Sequence, residues 1–265
     1  MPHFATTSGR GDPTILAVDQ FQFDAAQHAL GVRGPIPWIS ATQSAEIATH
    51  IRTTALMTPG LIDRPKGAIY WKQLGSGFAW YKSLHQYVDV VREIATSSAI
   101  TTEVRAIIGN HLSLWGSQWV QKAPGESHRW HADVECLDSK GVTVWLALKN
   151  SGPRSGLKLI PGSHSYPKYP QEIHAGTAVD LQDDAQVLAA ARSFAESARI
   201  ESPTVLPGSF LVFQGKTWHA SFNETLEARV ALILQYSPVG TRLRIPVTFE
   251  PPLRWHTLQP FMLYV

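Results

Sequence analysis

The feature that most restricts the fold of this chain is a strand-like hydrophobic pattern that runs from about residue 113 to residue 237. Side chains of a β-strand point alternately to its two faces, so strands show a period of two or, when fully buried, a short apolar run. Turns such as Pro124-Gly125 and Pro207-Gly208 separate the segments that have this pattern. Such a series favours a β-sandwich or barrel. The predicted strands are residues 113–121, 130–134, 142–149, 157–160, 209–213 and 229–237.

Two capping boxes predict helices before the strand region. In this motif a Ser side chain and a Gln side chain three residues later bond to each other's backbone N–H groups. Ser40 is paired in this way with Gln43, and Ser83 with Gln86. The aromatic stretches 67–71 and 77–81 fit either strands or a loop that lines a pocket. An apolar stripe with helical spacing follows each box and predicts a packing face: Ile47, Ile51 and Ala55 after the first, and Leu84, Val88, Val91 and Ile94 after the second.

One helical segment interrupts the strand series. Asp183 and Gln186 form an N-terminal cap, and the spacing of apolar residues predicts a helix that continues to about residue 198. Residues 165–203 are therefore predicted to be an insertion that could close over a pocket as a lid. Residues 1–13 are predicted to be a flexible arm. We expect a single domain over residues 1–265, mainly β with helices: a double-sheet β-barrel core flanked by α-helices.

The composition excludes several classes of partner. The chain has 265 residues, and with 44% hydrophobic and 17% charged residues it can bury a sizeable core and is not a disordered chain. Its formal net charge is only +2, so neither nucleic acid nor an anionic membrane surface is expected as a partner. A small-molecule substrate is the partner that remains. The aromatic tail 255–265 is apolar enough to cover a pocket or to form a homodimer contact.

Cysteine usage and the absence of sorting signals predict the compartment. The chain has one cysteine, Cys136, and so cannot form an internal disulfide framework. The start of the sequence lacks the basic and apolar regions of a secretory signal, and no apolar stretch is long enough for a membrane span. These observations predict a cytoplasmic protein.

A set of polar residues in the strand region points to a metal site. His131 and Asp133 are two residues apart in a predicted strand, which would place both side chains on one face. A second imidazole from a distant strand, such as His219, would complete a set of two histidines and one carboxylate. This ligand set, with open positions opposite, suits non-heme Fe(II) that activates O2. Other residues with suitable side chains leave the choice of ligands open: Glu126, His128, His164 and His174.

Arg229 follows His219 by ten residues, across a polar turn, at the start of the next predicted strand. A hairpin there would set His219 and Arg229 at similar depth on neighbouring strands. A guanidinium group can hold the carboxylate of an organic co-substrate with two hydrogen bonds. The residues thus indicate an oxygenase with an acidic co-substrate.

Several motifs, taken in order, resemble the phytanoyl-CoA dioxygenase family of Fe(II)- and 2-oxoglutarate-dependent oxygenases. The similarity covers roughly residues 113–237 and implies a double-stranded β-helix, or jelly-roll, fold. The motifs are Trp130-His131-Ala132-Asp133, the segment 156–164 that ends in Pro-Gly-Ser-His, the segment 207–213 that begins with Pro-Gly-Ser, His219-Ala220-Ser221-Phe222-Asn223, and Arg229.

The resemblance implies roles for individual residues. It makes His131, Asp133 and His219 the iron ligands and pairs Arg229 with the distal carboxylate of 2-oxoglutarate. Further positions match the co-substrate pocket of family members: Ser221, Trp145 and Lys122. The competing interpretation is a core tryptophan in a buried strand for Trp145, and a solvated lysine at a strand end for Lys122. Asn223 also fits the family pattern, and we interpret it as a turn residue, while His164 belongs to the Pro-Gly-Ser-His turn and is not taken as a ligand.

The resemblance also narrows the reaction. Halogenating relatives carry a small residue in place of the carboxylate ligand, so Asp133 disfavours halogenation. The implied reaction is hydroxylation of an unactivated C–H bond of a small metabolite, with release of succinate and CO2. Desaturation, ring formation and epimerisation use the same oxidant and stay open. Two alternatives also remain: a cupin-type metal enzyme that uses no 2-oxoglutarate, and a jelly-roll binding module without activity.

Overall fold

A computed structural model describes residues 30–57, 71–72, 79–133, 140–246, 255–257 and 263–265 of the chain. Several predictions lie outside these residues: the arm 1–13, Cys136, and residues 67–70 and 77–78 of the two aromatic stretches. The strands are β1 (Val32–Pro37), β2 (Trp71–Lys72), β3 (Ala79–Lys82), β4 (Leu112–Lys122), β5 (Ser127–His131), β6 (Val142–Lys149), β7 (Ser155–Ile160), β8 (Ser209–Gln214), β9 (Trp218–Asn223), β10 (Arg229–Pro238), β11 (Arg244–Pro246), β12 (Trp255–Thr257) and β13 (Leu263–Tyr264). The helices are α1 (Ala41–Met57), α2 (Asp89–Thr96), α3 (Ser98–Ile108), α4 (Pro170–Thr177) and α5 (Asp184–Arg192).

Two antiparallel sheets face each other, and the mainly β jelly-roll fold that we predicted is confirmed. The large sheet has the order β1-β8-β6-β10-β4-β3-β2, with β13 paired to one end of β4. The small sheet has the order β5-β9-β7. A short pair of β11 and β12 is separate from both. The inner faces of the sheets meet over an apolar cluster that includes Trp145, Leu157, Leu159, Leu211 and Ala231.

Helices α1, α2 and α3 cover the outer face of the large sheet. Their apolar side chains pack with alternate residues of the central strands β6, β8 and β10, because those residues point away from the small sheet. The phenol of Tyr236 in β10 donates a hydrogen bond of 2.8 Å to the carbonyl of Ala95 in α2. None of the described helices has the length and apolar character needed to cross a membrane.

The first capping box and its helix are confirmed, but the second box is wrong. Ser40 and Gln43 exchange both hydrogen bonds at the start of α1. Ser83 has a left-handed backbone conformation with a φ of 59° and makes no side-chain cap, and a single 3-10 turn (Leu84–Gln86) follows it before α2 begins. The predicted apolar stripe nevertheless packs on the core, since Leu84, Val88 and Val91 are all buried.

The segment 165–203 lies on the outer face of the small sheet. Its helices α4 and α5 pack against Trp130, Trp218 and Ala220, which point away from the inner face. The predicted cap is present, since the Asp183 carboxylate accepts hydrogen bonds from the backbone of Ala185 and Gln186. Helix α5 ends at Arg192, earlier than predicted, and α4 was not predicted at all. The lid role of this segment stays a prediction.

Candidate metal centre

Three polar side chains from two separate places in the chain converge between the two sheets. His131 ends β5 and is paired directly with His219 of β9. Asp133 follows two residues after β5, where its backbone N–H donates a hydrogen bond of 2.7 Å to the carbonyl of Gly215. Suitable ligand atoms of the three residues lie within 4.8 Å of one another. Within the part of the chain that the structure describes, no other group of histidine, cysteine and carboxylate side chains is this close.

The way Asp133 reaches this centre differs from our prediction. We expected His131 and Asp133 to lie on one face of a continuous strand, but β5 ends at His131. Asp133 instead bonds through its backbone to Gly215, in the turn between β8 and β9. A turn, and not strand alternation, therefore brings the carboxylate to the imidazoles. Its Oδ1 lies 3.9 Å from Nε2 of His219.

Both histidines are oriented by hydrogen bonds to backbone carbonyls. Nδ1 of His131 lies 2.9 Å from the carbonyl of Arg129, and Nδ1 of His219 lies 2.8 Å from that of Thr217. Because a carbonyl can only accept, each Nδ1 carries a proton, and the neutral form of each ring therefore has its lone pair on Nε2. An imidazole with this arrangement is ready to bind a metal through Nε2.

The surroundings keep His131 neutral and limit its movement. Burial holds the pKa of His131 well below its usual value of 6.5, and the nearby rings of His219 and His128 lower this pKa further. The ring of His128 contacts that of His131 edge to face, with 4.5 Å between centroids. Phe213 of the large sheet packs on His219, with 4.8 Å between centroids. His131 is thus kept in the neutral state, which is the state that coordinates a cation.

Thr143 holds the carboxylate of Asp133. Its hydroxyl donates a hydrogen bond of 2.5 Å to Oδ2 of Asp133, while Oδ1 faces His219. Thr143 points inward from β6, on the same face as Trp145. This contact was missed in the sequence. A polar residue in an otherwise apolar strand, with the same parity as Trp145, was the available signal.

A buried cation lies between the sheets at the start of β10. Arg229 is 1% exposed, its Nε has no hydrogen-bond partner, and no described carboxylate forms an ion pair with it. Its Cζ lies 5.2 Å from the ring centroid of Trp145, which is also buried. Burial lowers the pKa of Arg229 to about 10, so the group stays charged at neutral pH. A charged guanidinium without an anionic partner indicates a binding site for an anion.

Arg229 does not lie on a strand next to His219, as the predicted hairpin required. His219 belongs to the small sheet, whereas Arg229 begins β10 in the large sheet. Strand β10 has β4 on one side and β6 on the other, so it has no free edge for β9. The chain therefore crosses from one sheet to the other between His219 and Arg229, and the two residues face a common interior.

Lys122 also points into this interior. It is paired directly with Arg229 across β4 and β10, and it is only 3% exposed. Burial and the neighbouring Arg229 lower its pKa to about 8, while Glu126 acts in the opposite direction. The solvated lysine that we considered for this position is therefore wrong. Two cations lie side by side because the antiparallel register places Lys122 opposite Arg229.

Ser221 and Asn223 follow His219 on β9. Ser221 is two residues after His219 and shares its face of the strand. The side-chain nitrogen of Asn223 donates to the carbonyls of Lys122, at 3.1 Å, and Glu227, at 2.8 Å. Its Oδ1 accepts from the backbone of Thr225. Asn223 is thus a turn residue, as predicted, and in addition ties the end of β4 to the β9–β10 connection.

The other candidate ligands have separate contacts. His174 Nδ1 bonds to the carbonyl of Val179 at 2.7 Å. The Glu126 carboxylate accepts from the backbone of Ala123 at 2.8 Å. His164 packs against Gly31, where a Cβ atom would lie 2.3 Å from Nδ1 of His164. Of the alternatives left open by the sequence, only His128 lies beside the three converging residues.

The comparison with protein families agrees with this arrangement. The family model described as phytanoyl-CoA dioxygenase (PhyH) matches residues 55–231, which is more than half of the chain. The chain belongs to the phytanoyl-CoA dioxygenase family. This family consists of Fe(II)- and 2-oxoglutarate-dependent oxygenases, so the protein is an enzyme of the oxidoreductase class. No curated protein matches the chain significantly in sequence.

Solved structures of this kind share the fold at low sequence identity. The non-heme α-ketoglutarate-dependent epimerase SnoN from nogalamycin biosynthesis is 17% identical, with a TM-score of 0.61 over 89% of this chain and 94% of SnoN. EctD from S. alaskensis with bound Fe is 21% identical, with a TM-score of 0.64 over 86% of this chain and 81% of EctD. The α-ketoglutarate-dependent carbocyclase SnoK is 16% identical, with a TM-score of 0.61 over 84% and 86%.

Proposed function

We propose that this family member is a dioxygenase in which His131, Asp133 and His219 hold Fe(II), and that it hydroxylates an unactivated C–H bond of a small metabolite. The observation that carries the proposal is the convergence of two imidazoles and one carboxylate within 4.8 Å, together with a buried arginine that forms no ion pair with a described carboxylate. Two imidazoles and a carboxylate leave positions open for a chelating co-substrate and O2. When bound, iron and 2-oxoglutarate would supply an oxidant for the substrate C–H bond, with succinate and CO2 as co-products.

The residues near Arg229 would bind 2-oxoglutarate. Arg229 and Lys122 would supply positive charge for the distal carboxylate, since they are paired directly across β4 and β10 and both are buried. Trp145 packs beside the guanidinium and limits its movement. Ser221 would donate a hydroxyl hydrogen bond from the small sheet. An anion that enters this pocket gains charge-assisted hydrogen bonds in a site from which water is largely excluded.

The substrate class is part of the proposal. Solved structures with this fold include an epimerase complex with nogalamycin RO and an EctD complex with 5-hydroxyectoine. These ligands are small molecules, which supports a small metabolite as the substrate here. The same relatives support epimerisation and ring formation as alternative outcomes, because SnoN is an epimerase and SnoK a carbocyclase. We keep hydroxylation as the main proposal, in a soluble cytoplasmic enzyme that could form homodimers.

An anaerobic titration tests this function. The protein is mixed with Fe(II) and 2-oxoglutarate, and the weak visible charge-transfer band of the metal chelate is recorded. We expect the band in the natural protein and its loss in His219→Ala. If iron binds but no band forms, a cupin-type enzyme without 2-oxoglutarate becomes the better explanation. If iron does not bind, the catalytic interpretation of these three residues is wrong.

A further inference from the structure

A glutamine outside the barrel forms two hydrogen bonds with the backbone between two candidate metal ligands. Gln171 lies in the first turn of α4 and is 9% exposed. Its Oε1 accepts from the N–H of Ala132 at 3.1 Å, and its Nε2 donates to the carbonyl of Ala132 at 2.8 Å. The side-chain amide thus takes the place that a neighbouring strand would occupy.

Ala132 needs such a partner because regular strand pairing stops before it. Strand β5 ends at His131, and Asp133 is bonded to the turn at Gly215. Ala132 itself is buried, so an N–H or carbonyl left unpaired there would destabilise the fold. Gln171 satisfies both groups at once. The short backbone that sets the separation of His131 from Asp133 is therefore held by a helix.

Helix α5, which follows the helix that carries Gln171, is tied to the small sheet by polar contacts. Trp130, the residue before His131, donates from its backbone N–H to the carbonyl of Leu181 at 2.8 Å and from Nε1 to Oδ1 of Asp184 at 2.8 Å. The other oxygen of Asp184 forms an ion pair with Lys158 of β7 at 2.6 Å. Two strands of the small sheet are thus tied to α5, directly after the loop that follows α4.

We infer that Gln171 is a positioning residue for the metal centre. Acting through the backbone of Ala132, it holds His131 and Asp133 at the separation that one ion requires, and helix α4 serves as an outer clamp on this segment. The inference rests on the proposed function, since it concerns the same three ligands. A lid would have to leave the small sheet and break these hydrogen bonds, so the clamp requires the α4 part of residues 165–203 to stay in place.

The test compares Gln171→Met with a matched control, Thr101→Val. Methionine has nearly the volume of glutamine but neither of its hydrogen-bonding groups. Thr101 is also buried, and its hydroxyl donates to the carbonyl of Ser97 within the start of α3, on the far side of the large sheet. Gln171→Met removes two hydrogen bonds and Thr101→Val removes the one to Ser97, but only Gln171 contacts the ligand segment.

Two readouts follow these variants. Hydrogen exchange of the metal-free protein reports the protection of the Ala132 amide, and anaerobic titration with 2-oxoglutarate reports Fe(II) affinity through the charge-transfer band. For Gln171→Met we expect faster exchange at Ala132 and Fe(II) affinity lower by about 10- to 100-fold, the usual effect of losing a group that orients a metal ligand. For Thr101→Val we expect unchanged exchange at Ala132 and unchanged iron affinity.

A second, milder variant keeps the inference testable if Gln171→Met does not fold. Gln171→Asn keeps the amide but is shorter by one methylene group, so it should show the same two effects at smaller size. Iron affinity equal to that of the natural protein in both Gln171 variants, together with faster exchange at Ala132, would overturn the clamp while leaving the proposed function intact. If the natural protein shows no band at all, the proposed function fails, and the clamp fails with it.

Discussion

The two faces of strand β10 have opposite chemistry. The outer face packs its apolar side chains against helices α1 to α3 in the largest apolar cluster of the described chain. The inner face buries a cation, a carboxamide and an alanine, and carries one partly buried isoleucine. The outer residues are Val230, Leu232, Leu234 and Tyr236, and the inner ones are Arg229, Ala231, Ile233 and Gln235.

The difference shows how one strand can serve both stability and function. Apolar side chains on the outer face lose only contact with water and so stabilise the fold. On the inner face, Arg229 is buried and has no anionic partner among the residues that the structure describes, which costs free energy unless a ligand supplies the counter-charge. Substitutions on the outer face should therefore lower the free energy of unfolding, and substitutions on the inner face should weaken ligand binding.

The largest effect is expected from the candidate ligands. His219→Ala should reduce 2-oxoglutarate turnover, measured as succinate release, to background. Because the sheets pack through the apolar residues of their facing sides and the helices, the fold should survive, and circular dichroism of the metal-free variant should match the natural protein. His131→Ala and Asp133→Ala should behave in the same way. Unfolding of all three metal-free variants would show that these residues serve stability instead.

Leu232→Ala should give the opposite result. Leu232 is fully buried among the helices on the outer face, and truncation leaves a cavity. We expect the free energy of unfolding to fall by about 2–5 kcal/mol in denaturant titrations. The folded fraction should still bind Fe(II) and 2-oxoglutarate with normal affinity. If Leu232→Ala changed the affinity for 2-oxoglutarate as much as Arg229→Met does, the two faces of β10 would not have separate roles.

Arg229→Met tests the inner face of the same strand. Loss of charge-assisted hydrogen bonds of about 1.5–3 kcal/mol should weaken 2-oxoglutarate binding roughly 10- to 100-fold, as measured by titration. The stability of the ligand-free protein should stay the same or rise, because an unpaired buried charge has been removed. Full retention of oxoacid affinity would contradict the assigned role and favour an enzyme without this co-substrate.

The smallest effect concerns Lys122 and pH. Its pKa of about 8, mainly the result of burial and then of Arg229, lies below the ordinary 10.5. As pH rises through 8, the amine loses its charge, so the KM for 2-oxoglutarate should increase. In the ligand-free protein the unfolded chain holds this proton more tightly, so stability should rise between pH 8 and about 10.5. Lys122→Met should remove the pH dependence of both the KM and the stability in this range. If both quantities kept the same pH dependence in the variant, Lys122 would not be its origin.

Local sequence signals correctly predicted those helices and strands that have turn-forming or capping residues at their ends. Strand 142–149 matches β6 at both ends, and the cap at Ser40 begins α1 as expected. The same motif failed at Ser83, where a left-handed backbone removes the geometry that a cap needs. The bounds of strand β9 were not predicted either, although the predicted hairpin placed His219 on a strand, because its alternation is short and follows directly after β8.

The sequence by itself determined the types of the metal ligands and the order of motifs that indicates the family. It also determined the alternation of residues along the strands that gives each sheet two different faces. These features depend on residue identity and on spacing along the chain, so they can be predicted from short stretches of sequence. Only the tertiary structure decided that Arg229 lies in the opposite sheet from His219, that Lys122 is buried beside Arg229, and that Gln171 holds Ala132. Such contacts join residues that are distant in sequence, and they arise from strand register and the docking of one helix, which no local pattern encodes.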